Sequence, residues 1–509
     1  MKNERDYLFY VLPAPPSDPA APVVGDEARP EQKGAGLCWL TFPDGPAHKA
    51  DRRVADGDQL PTVKGGADEH FPKFFTAPPS HQVLNIVREN FVPFLQPQGP
   101  SRNERWVVIW NDRAGQGLAK KWLDQIILPI LHLVGIPPTE LKVFESRQPG
   151  WEDDLMKKIE DQPSTKVVIL GGDGTISDFL NQAHDSLQER RRLDPDNCSN
   201  KINMDLIILP FGTANAMFFN THPKVKELKR PKDVLTGLLN ALLEPTRRAD
   251  GLPEPTPSRV ALASVQTLDH ENALVQGSVS FVVASTALHA AILETSNQLV
   301  LQPDYKHAGT EVFTRAFLSN ASRIWNASVT LLPSALDGEI RKYDPSTETL
   351  LPVQKEGQEK DAEEVRLDEG PFSYFTACLV DRLESKFIIA PLRNPDRFPL
   401  SDQSTRASTI DLVIIRPTRD PALKCILQDP HSSAQLRANA LTKFIDLVSQ
   451  AVYQDGIHIN LLADDGLPIT DKDVTHHVCI DGKVVDIPGH GGSVKCTMVP
   501  QDQTDIRIY

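Results

Sequence analysis

The chain is 509 residues long, 40% hydrophobic and 24% charged, with a formal net charge of −14. That length exceeds the usual single core and predicts two domains plus extensions, with the composition of a soluble globular protein. The acidic balance excludes the broad basic footprint of a nucleic-acid binder and leaves room for a local patch that meets a membrane.

Residues 1–103 form a Pro- and Gly-rich extension with short apolar pieces at Tyr7–Leu12 and Leu37–Phe42, read as edge strands. Pro13–Gly36 reads as flexible, and Ser80–Phe94 has helical spacing. Leu8–Leu12 is too short for a signal-peptide core, and no run of about 18 apolar residues is present. The six cysteines, Cys38, Cys198, Cys378, Cys425, Cys479 and Cys496, contain no C-x-x-C pair. A reducing compartment is the simpler reading, and the expectation is a cytoplasmic protein.

From Arg105 strands and helices alternate. Trp106–Trp110, Leu141–Glu145, Lys166–Leu170 and Met204–Leu209 read as strands. Leu118–Val134 reads as a helix kinked at Pro129, with further helices at Trp151–Ile159 and Thr175–Arg190. This alternation predicts an α/β fold: a doubly wound nucleotide-binding domain over 104–250. Ligands in such folds bind beyond the carboxyl ends of the strands. Three of those ends carry polar, glycine-containing loops: Asn111 to Gly117, Gly171-Gly172-Asp173-Gly174-Thr175, and Gly212-Thr213-Ala214-Asn215. Glycines let an anion approach the backbone, and a helix N-terminus offers free N–H groups to it. A single fixed acid, Asp173, stands beside them. The combination points to phosphoryl transfer.

After about residue 251 the pattern becomes strand-rich, at Arg259–Val265, Gly277–Ala284, Ser328–Leu332, Phe372–Leu379, Phe387–Ala390, Thr409–Ile415 and Ile457–Leu461. One helix is expected at Leu441–Val452, and Gln354–Gly370 reads as a solvated loop. Residues 251–509 are therefore expected to form a mainly antiparallel β-sandwich domain. His476-His477 and His490 lack a third ligand at useful spacing and read as surface or turn residues. Gly489–Gly492 reads as a hairpin turn, and Trp106 and Trp110 as core.

G-G-D-G-T followed about forty residues later by L-P-F-G-T-A-N resembles the diacylglycerol kinase catalytic-domain superfamily, which includes sphingosine, ceramide and diacylglycerol kinases. The resemblance covers roughly residues 104–509 and is strongest over 104–220. It implies transfer of the γ-phosphoryl group of ATP, with Mg²⁺, to a lipid hydroxyl. It further implies transient peripheral contact with a membrane surface. Asn111, Asp112, Arg113 and Gly115 look like the first phosphate loop, with Asp112 where the family usually has proline. Gly171, Gly172, Gly174 and Thr175 would cradle phosphates, Asp173 is similar to the catalytic acid, and Asp178 stands where the family usually has Glu. Gly212, Thr213 and Asn215 look like the adenine and ribose loop. Asp481 and Gly482 resemble a segment that reaches back to the nucleotide.

The departures cluster in the second domain. Lys483 replaces an acid, Val312 and Lys306 or His307 stand where sphingosine kinases place arginines, and Ile292 falls near their amine-binding acid, with Glu294 two positions on. Ala216 resembles sphingosine and ceramide kinases rather than diacylglycerol kinases. A sphingoid base is therefore the first expected acceptor. The alternatives are diacylglycerol or ceramide, or a non-catalytic nucleotide- or lipid-binding homologue. NAD kinases share G-G-D-G-T but not the L-P-F-G-T-A-N loop.

Overall fold

The computed structural model describes residues 7–11, 36–41 and 73–77 and, with interruptions, 104–440 and 476–509. Near-continuous apolar runs are what strands buried on both faces require. Strands β4 (Glu104–Trp110), β6 (Ser164–Gly171) and β7 (Ile202–Pro210) are such runs, lying side by side and parallel, with β5 (Leu141–Glu145) outside β4. Alternate residues feed two cores. Val107, Ile109, Val167, Ile169, Leu206 and Ile208 join one, together with Phe179, Leu180, Ala183 and Leu187 of helix α2 (Asp173–Leu193). Their neighbours Val108, Val168, Leu170, Ile207 and Leu209 pack on the opposite face with Leu123, Ile126, Ile127 and Ile130 of helix α1 (residues 119–133).

Helix α1 differs from the expected kink. It runs through three consecutive segments, Ala119–Trp122, a π turn at Leu123–Ile127, and Leu128–Leu133. Pro129 has no N–H for the Gln125 carbonyl, and its ring would crowd that group in a regular helix. The chain widens the preceding turn instead, so that the Leu128 N–H bonds the Leu123 carbonyl five residues back. Leu123, Ile126, Ile127 and Ile130 all stay fully buried.

The parallel sheet is completed from far along the chain. Strand β21 (Thr504–Ile508) lies parallel to β7, and β8 (Ser258–Arg259) pairs antiparallel with β21, giving the order β5-β4-β6-β7-β21-β8. The division at residue 250 does not anticipate this return.

Two further sheets complete the β-rich region. One has the order β10-β9-β20, from β9 (Ala263–Leu268), β10 (Leu274–Ser280) and β20 (Ser493–Met498). The other has the order β17-β16-β11-β18-β19. Its strands are β11 (Val283–Ala287), β16 (Tyr374–Cys378), β17 (Asp411–Ile415), β18 (His477–Ile480) and β19 (Lys483–Asp486). All pairings in both are antiparallel. Val265 of β9 shares a buried cluster with Ala284, Ala377, Val478 and Ile480 of the second sheet. Helices α3 (Ala216–Thr221), α4 (Leu288–Val300) and α5 (Glu311–Asn320) complete the frame. The fully buried phenyl rings of Phe179, Phe218 and Phe281 belong to one apolar cluster that joins the α/β region to the β-rich one.

Several expected elements come out differently. Gly277–Ala284 is not one strand: Phe281 and Val282 form a turn between β10 and β11, shaped by the buried carboxylate of Asp481. Arg259–Val265 divides between β8 and β9. Phe387–Ala390 supplies only an isolated bridge, Arg382 to Ile388. Within the expected loop Gln354–Gly370, Val365–Leu367 pairs antiparallel with Val329–Leu331. Near the start, Tyr7–Val11 and Gly36–Thr41 are strands as expected, and Lys73–Ala77 adds an unforeseen third partner. Of the Trp151–Ile159 helix, Trp151 and Leu155 are described, both buried in the first core. The expectations for Ser80–Phe94, Leu441–Val452, Ile457–Leu461 and His490, and most of those for Pro13–Gly36, lie outside the described residues.

Candidate phosphate-binding edge

Register brings the three glycine loops together. Trp110, Leu170 and Leu209 stand opposite one another on β4, β6 and β7, so the loops that begin after them leave the sheet side by side. Each loop is tied to the others. The Asn111 side-chain amide donates to Thr175 Oγ1 at 2.9 Å, joining the first loop to the second, and Asn111 Oδ1 accepts from the Arg113 N–H at 3.0 Å. Two short contacts make glycine obligatory between the second and third loops. A Cβ on Gly172 would lie 2.7 Å from the Gly212 Cα, and one on Gly212 would lie 2.4 Å from the Gly172 Cα. Gly115 closes the ring: at φ +52°, a Cβ there would stand 2.3 Å from the Phe211 carbonyl oxygen. Gly174 differs, since nothing lies within 4 Å of where its Cβ would be, and it faces solvent.

Asp173 is the acid of this edge, and its carboxylate is not idle. Oδ2 accepts from the Ala216 N–H at 2.8 Å and Oδ1 from the Met217 N–H at 3.1 Å. It therefore caps α3, the helix opened by the third loop, across 43 residues of sequence. Burial pushes its carboxyl above the usual carboxylate range, while the two N–H groups pull it down. Asn215 turns inward as well. In the left-handed region at φ 54°, it accepts from the Gly212 N–H and donates to the Gly212 carbonyl, both at 2.8 Å. Its side chain shapes its own loop. Asp112, Arg113 and Thr213 are exposed at the rim, as is Asp178 one turn along α2 from Gly174.

Asp481 and Gly482 are the two central residues of the β18–β19 hairpin, at φ 50° and 92°, the two-residue turn that an Asp-Gly pair favours. The Asp481 carboxylate is 5% exposed and accepts four hydrogen bonds, from Ser280 Oγ at 2.7 Å and from the N–H groups of Phe281, Val282 and Val283, each at 2.9 Å. Burial pushes its carboxyl up to about 6 against those donors. Its carboxylate thus holds the β10–β11 turn. One residue before Ser280, Val279 exchanges two hydrogen bonds with the Asn181 side chain of α2, at 2.8 and 3.1 Å. A path of hydrogen-bonded groups therefore runs from α2 through β10 to Asp481.

Residues 105–250 match the family model of the diacylglycerol kinase catalytic domain. The match spans less than a third of the chain. A provisionally assigned diacylglycerol kinase from Bacillus anthracis str. Sterne is similar in structure, with a TM-score of 0.40 and 11% identity over 80% of this chain and 98% of its own. No curated protein matches the chain.

Val312 is buried on α5, and Ile292 is partly buried against the core that joins the two regions. Lys306 and His307 lie outside the described residues. Lys483 is exposed on β19 beside the Asp481 turn. The contacts of Asn181 and Ser280 are not legible in the sequence; an isolated Asn or Ser carries no pattern that announces a contact about 100 or 200 residues away. No group of three or more His, Cys, Asp or Glu side chains poised for a metal occurs among the described residues. Mg²⁺ is commonly held by one or two carboxylates together with substrate phosphates; at this edge Asp178 is an exposed carboxylate, whereas both oxygens of Asp173 accept backbone N–H groups.

Proposed function

We propose that this chain is an ATP-dependent lipid kinase, transferring a phosphoryl group to a lipid hydroxyl, with a sphingoid base as the first acceptor to test. The observation that carries the reading is the mutual bracing of three glycine loops on one sheet edge, within residues of the diacylglycerol kinase catalytic superfamily. In this reading a doubly wound domain holds the nucleotide and a β-sandwich domain presents the acceptor.

Phosphoryl transfer asks mainly for positioning and charge stabilisation. Gly171, Gly172, Gly174 and Thr175 line the phosphate position, Asn111 and Arg113 flank it, and Gly212, Thr213 and Asn215 shape the base and ribose side. The glycine contacts fit a phosphate cradle: backbone packs against backbone at Gly172 and Gly212, and Gly174 leaves open space. ATP supplies the transferred group, and Mg²⁺ screens its charge. Asp173 is the group assigned to take the acceptor hydroxyl's proton, and the burial that raises its carboxyl makes its ionised form a stronger proton acceptor than an ordinary surface carboxylate. Asp481 and Gly482 support the nucleotide side indirectly, through Val279 and Asn181. Access to a lipid requires the protein to visit a membrane surface; no helix among the described residues is long and apolar enough to cross one.

The test is transfer from γ-labelled ATP to sphingosine, ceramide and diacylglycerol presented in mixed micelles. Label in one lipid product supports the reading and names the acceptor. Measurable ATP binding with no labelled product from any acceptor favours the non-catalytic homologue, which the altered positions Lys483, Val312 and Ile292 motivate.

A further inference from the structure

A cavity of about 170 Å³ opens beside α4, far larger than the ~15 Å³ that a single water needs. Its walls include Ala291, Glu294 and Gln298 on one face of α4, with Arg323, Trp325 and His477 opposite. None of its lining residues belongs to the three glycine loops.

The charges around this cavity are held in place and opposed in sign. The Arg323 guanidinium lies 5.4 Å over the Trp325 ring and donates to Asn320 Oδ1 at 3.0 Å. Asn320 is itself anchored on α4, donating to Thr295 Oγ1 at 2.8 Å. Glu294 accepts one hydrogen bond, from Gln298 Nε2 at 2.8 Å, which leaves most of its acceptor capacity unused. Among the described residues Glu294 and Arg323 form no ion pair with each other. A carboxylate and a guanidinium on one cavity, each short of a charged partner, are satisfied together by a ligand that carries both signs.

We propose that this cavity binds a small zwitterion, with its ammonium group on Glu294, its oxyanion on Arg323, and its short alkyl spacer against Trp325. Phosphoethanolamine has this chemistry, whether free or as a lipid headgroup. The proposal rests on the charges that line this cavity and not on the glycine loops; Glu294 also lies two positions from the place of the amine-binding acid in the resemblance, and the ATP titration keeps a failure here distinguishable from a failure of the kinase reading.

The test uses the full chain. Isothermal titration with phosphoethanolamine is run on the wild type, Glu294→Gln and Arg323→Gln, with ATP titrated into the same preparations. Neither side chain is buried, so both variants are expected to fold, and their thermal unfolding is the check. Saturable binding that weakens roughly tenfold in each variant is expected, since a charge-assisted hydrogen bond contributes enough for one decade of affinity. ATP affinity should not change. Sedimentation with phosphatidylglycerol vesicles, with and without phosphatidylethanolamine, separates the two sources of the ligand. Capture that depends on phosphatidylethanolamine identifies a headgroup, and binding of the free probe alone identifies a soluble ligand. Absence of saturable binding to either form, or equal affinity in both variants and the wild type, overturns the proposal whatever ATP does.

Discussion

Replacing Asp173 by Asn tests how the second and third loops depend on each other. The carboxylate offers one oxygen to the Ala216 N–H and the other to the Met217 N–H. An amide keeps one oxygen and turns an NH₂ group towards the second donor. One N–H at the start of α3 is left unpaired, at a cost of about 1–3 kcal/mol, and the favourable charge at a helix N-terminus is lost as well. Loop three would then be held in its binding geometry less of the time. At 1.4 kcal/mol per decade, ATP affinity should fall by roughly tenfold, and turnover should fall much further because the proton acceptor is gone. Isothermal titration of ATP with Mg²⁺ and initial rates on the same sample measure the two effects. Native ATP affinity in Asp173→Asn would refute the coupling between the loops. Full turnover would refute the catalytic role.

Gly212→Ala places a methyl group 2.4 Å from the Gly172 Cα, and should cost about 1–3 kcal/mol in thermal unfolding while abolishing nucleotide binding; Gly174→Ala, which meets nothing within 4 Å, should unfold like the wild type. Phe281→Ala removes a fully buried ring from the cluster that joins the two regions, and a loss of about 3–5 kcal/mol is expected by denaturant titration. Burial pushes His222 and His289 down to about 4 from an ordinary value near 6.5. The unfolded chain then binds more protons than the folded one between those values, so stability is full above pH 6.5 and is lost as the pH falls towards 4. Each histidine contributes up to about 3 kcal/mol across that window, and His289→Gln should flatten the pH dependence of the melting temperature.

The sheet edge was legible in the sequence because its information is local. Val167–Leu170 shows a buried strand, and Gly171 to Thr175 shows the turn into a helix at its end, with no distant residue needed to recognise either. Loops one and three could be read in the same way. The strings did not reveal the direction of the side chains. Asp173 and Asn215 were expected to face a ligand, yet each also bonds backbone within the edge: Asp173 across to Ala216 and Met217, Asn215 back onto Gly212. A change at Asp173 is therefore expected to disturb loop three as well as to remove a carboxylate.

Asp481 shows the same limit at longer range. Asp-Gly predicts a tight hairpin and one is present, but the acid's partners lie about 200 residues earlier, at Ser280 to Val283. Those contacts also impose the turn within Gly277–Ala284, whose own residues carry no Gly, Pro, Asn or Asp at Phe281 and Val282 to announce it. Strand β21 alternates Asp505 and Arg507 with Ile506 and Ile508, a strand-like pattern, but pairing with β7 instead of a nearer sheet is a tertiary choice that its five residues do not encode.

The most direct test of the central claim traces γ-label from ATP into lipid, comparing the wild type with Asp173→Ala in the presence of Mg²⁺. The account predicts a labelled lipid product from the wild type and none above background from the variant. An unlabelled lipid fraction from the wild type with every acceptor, or equal labelling by the two proteins, would contradict it.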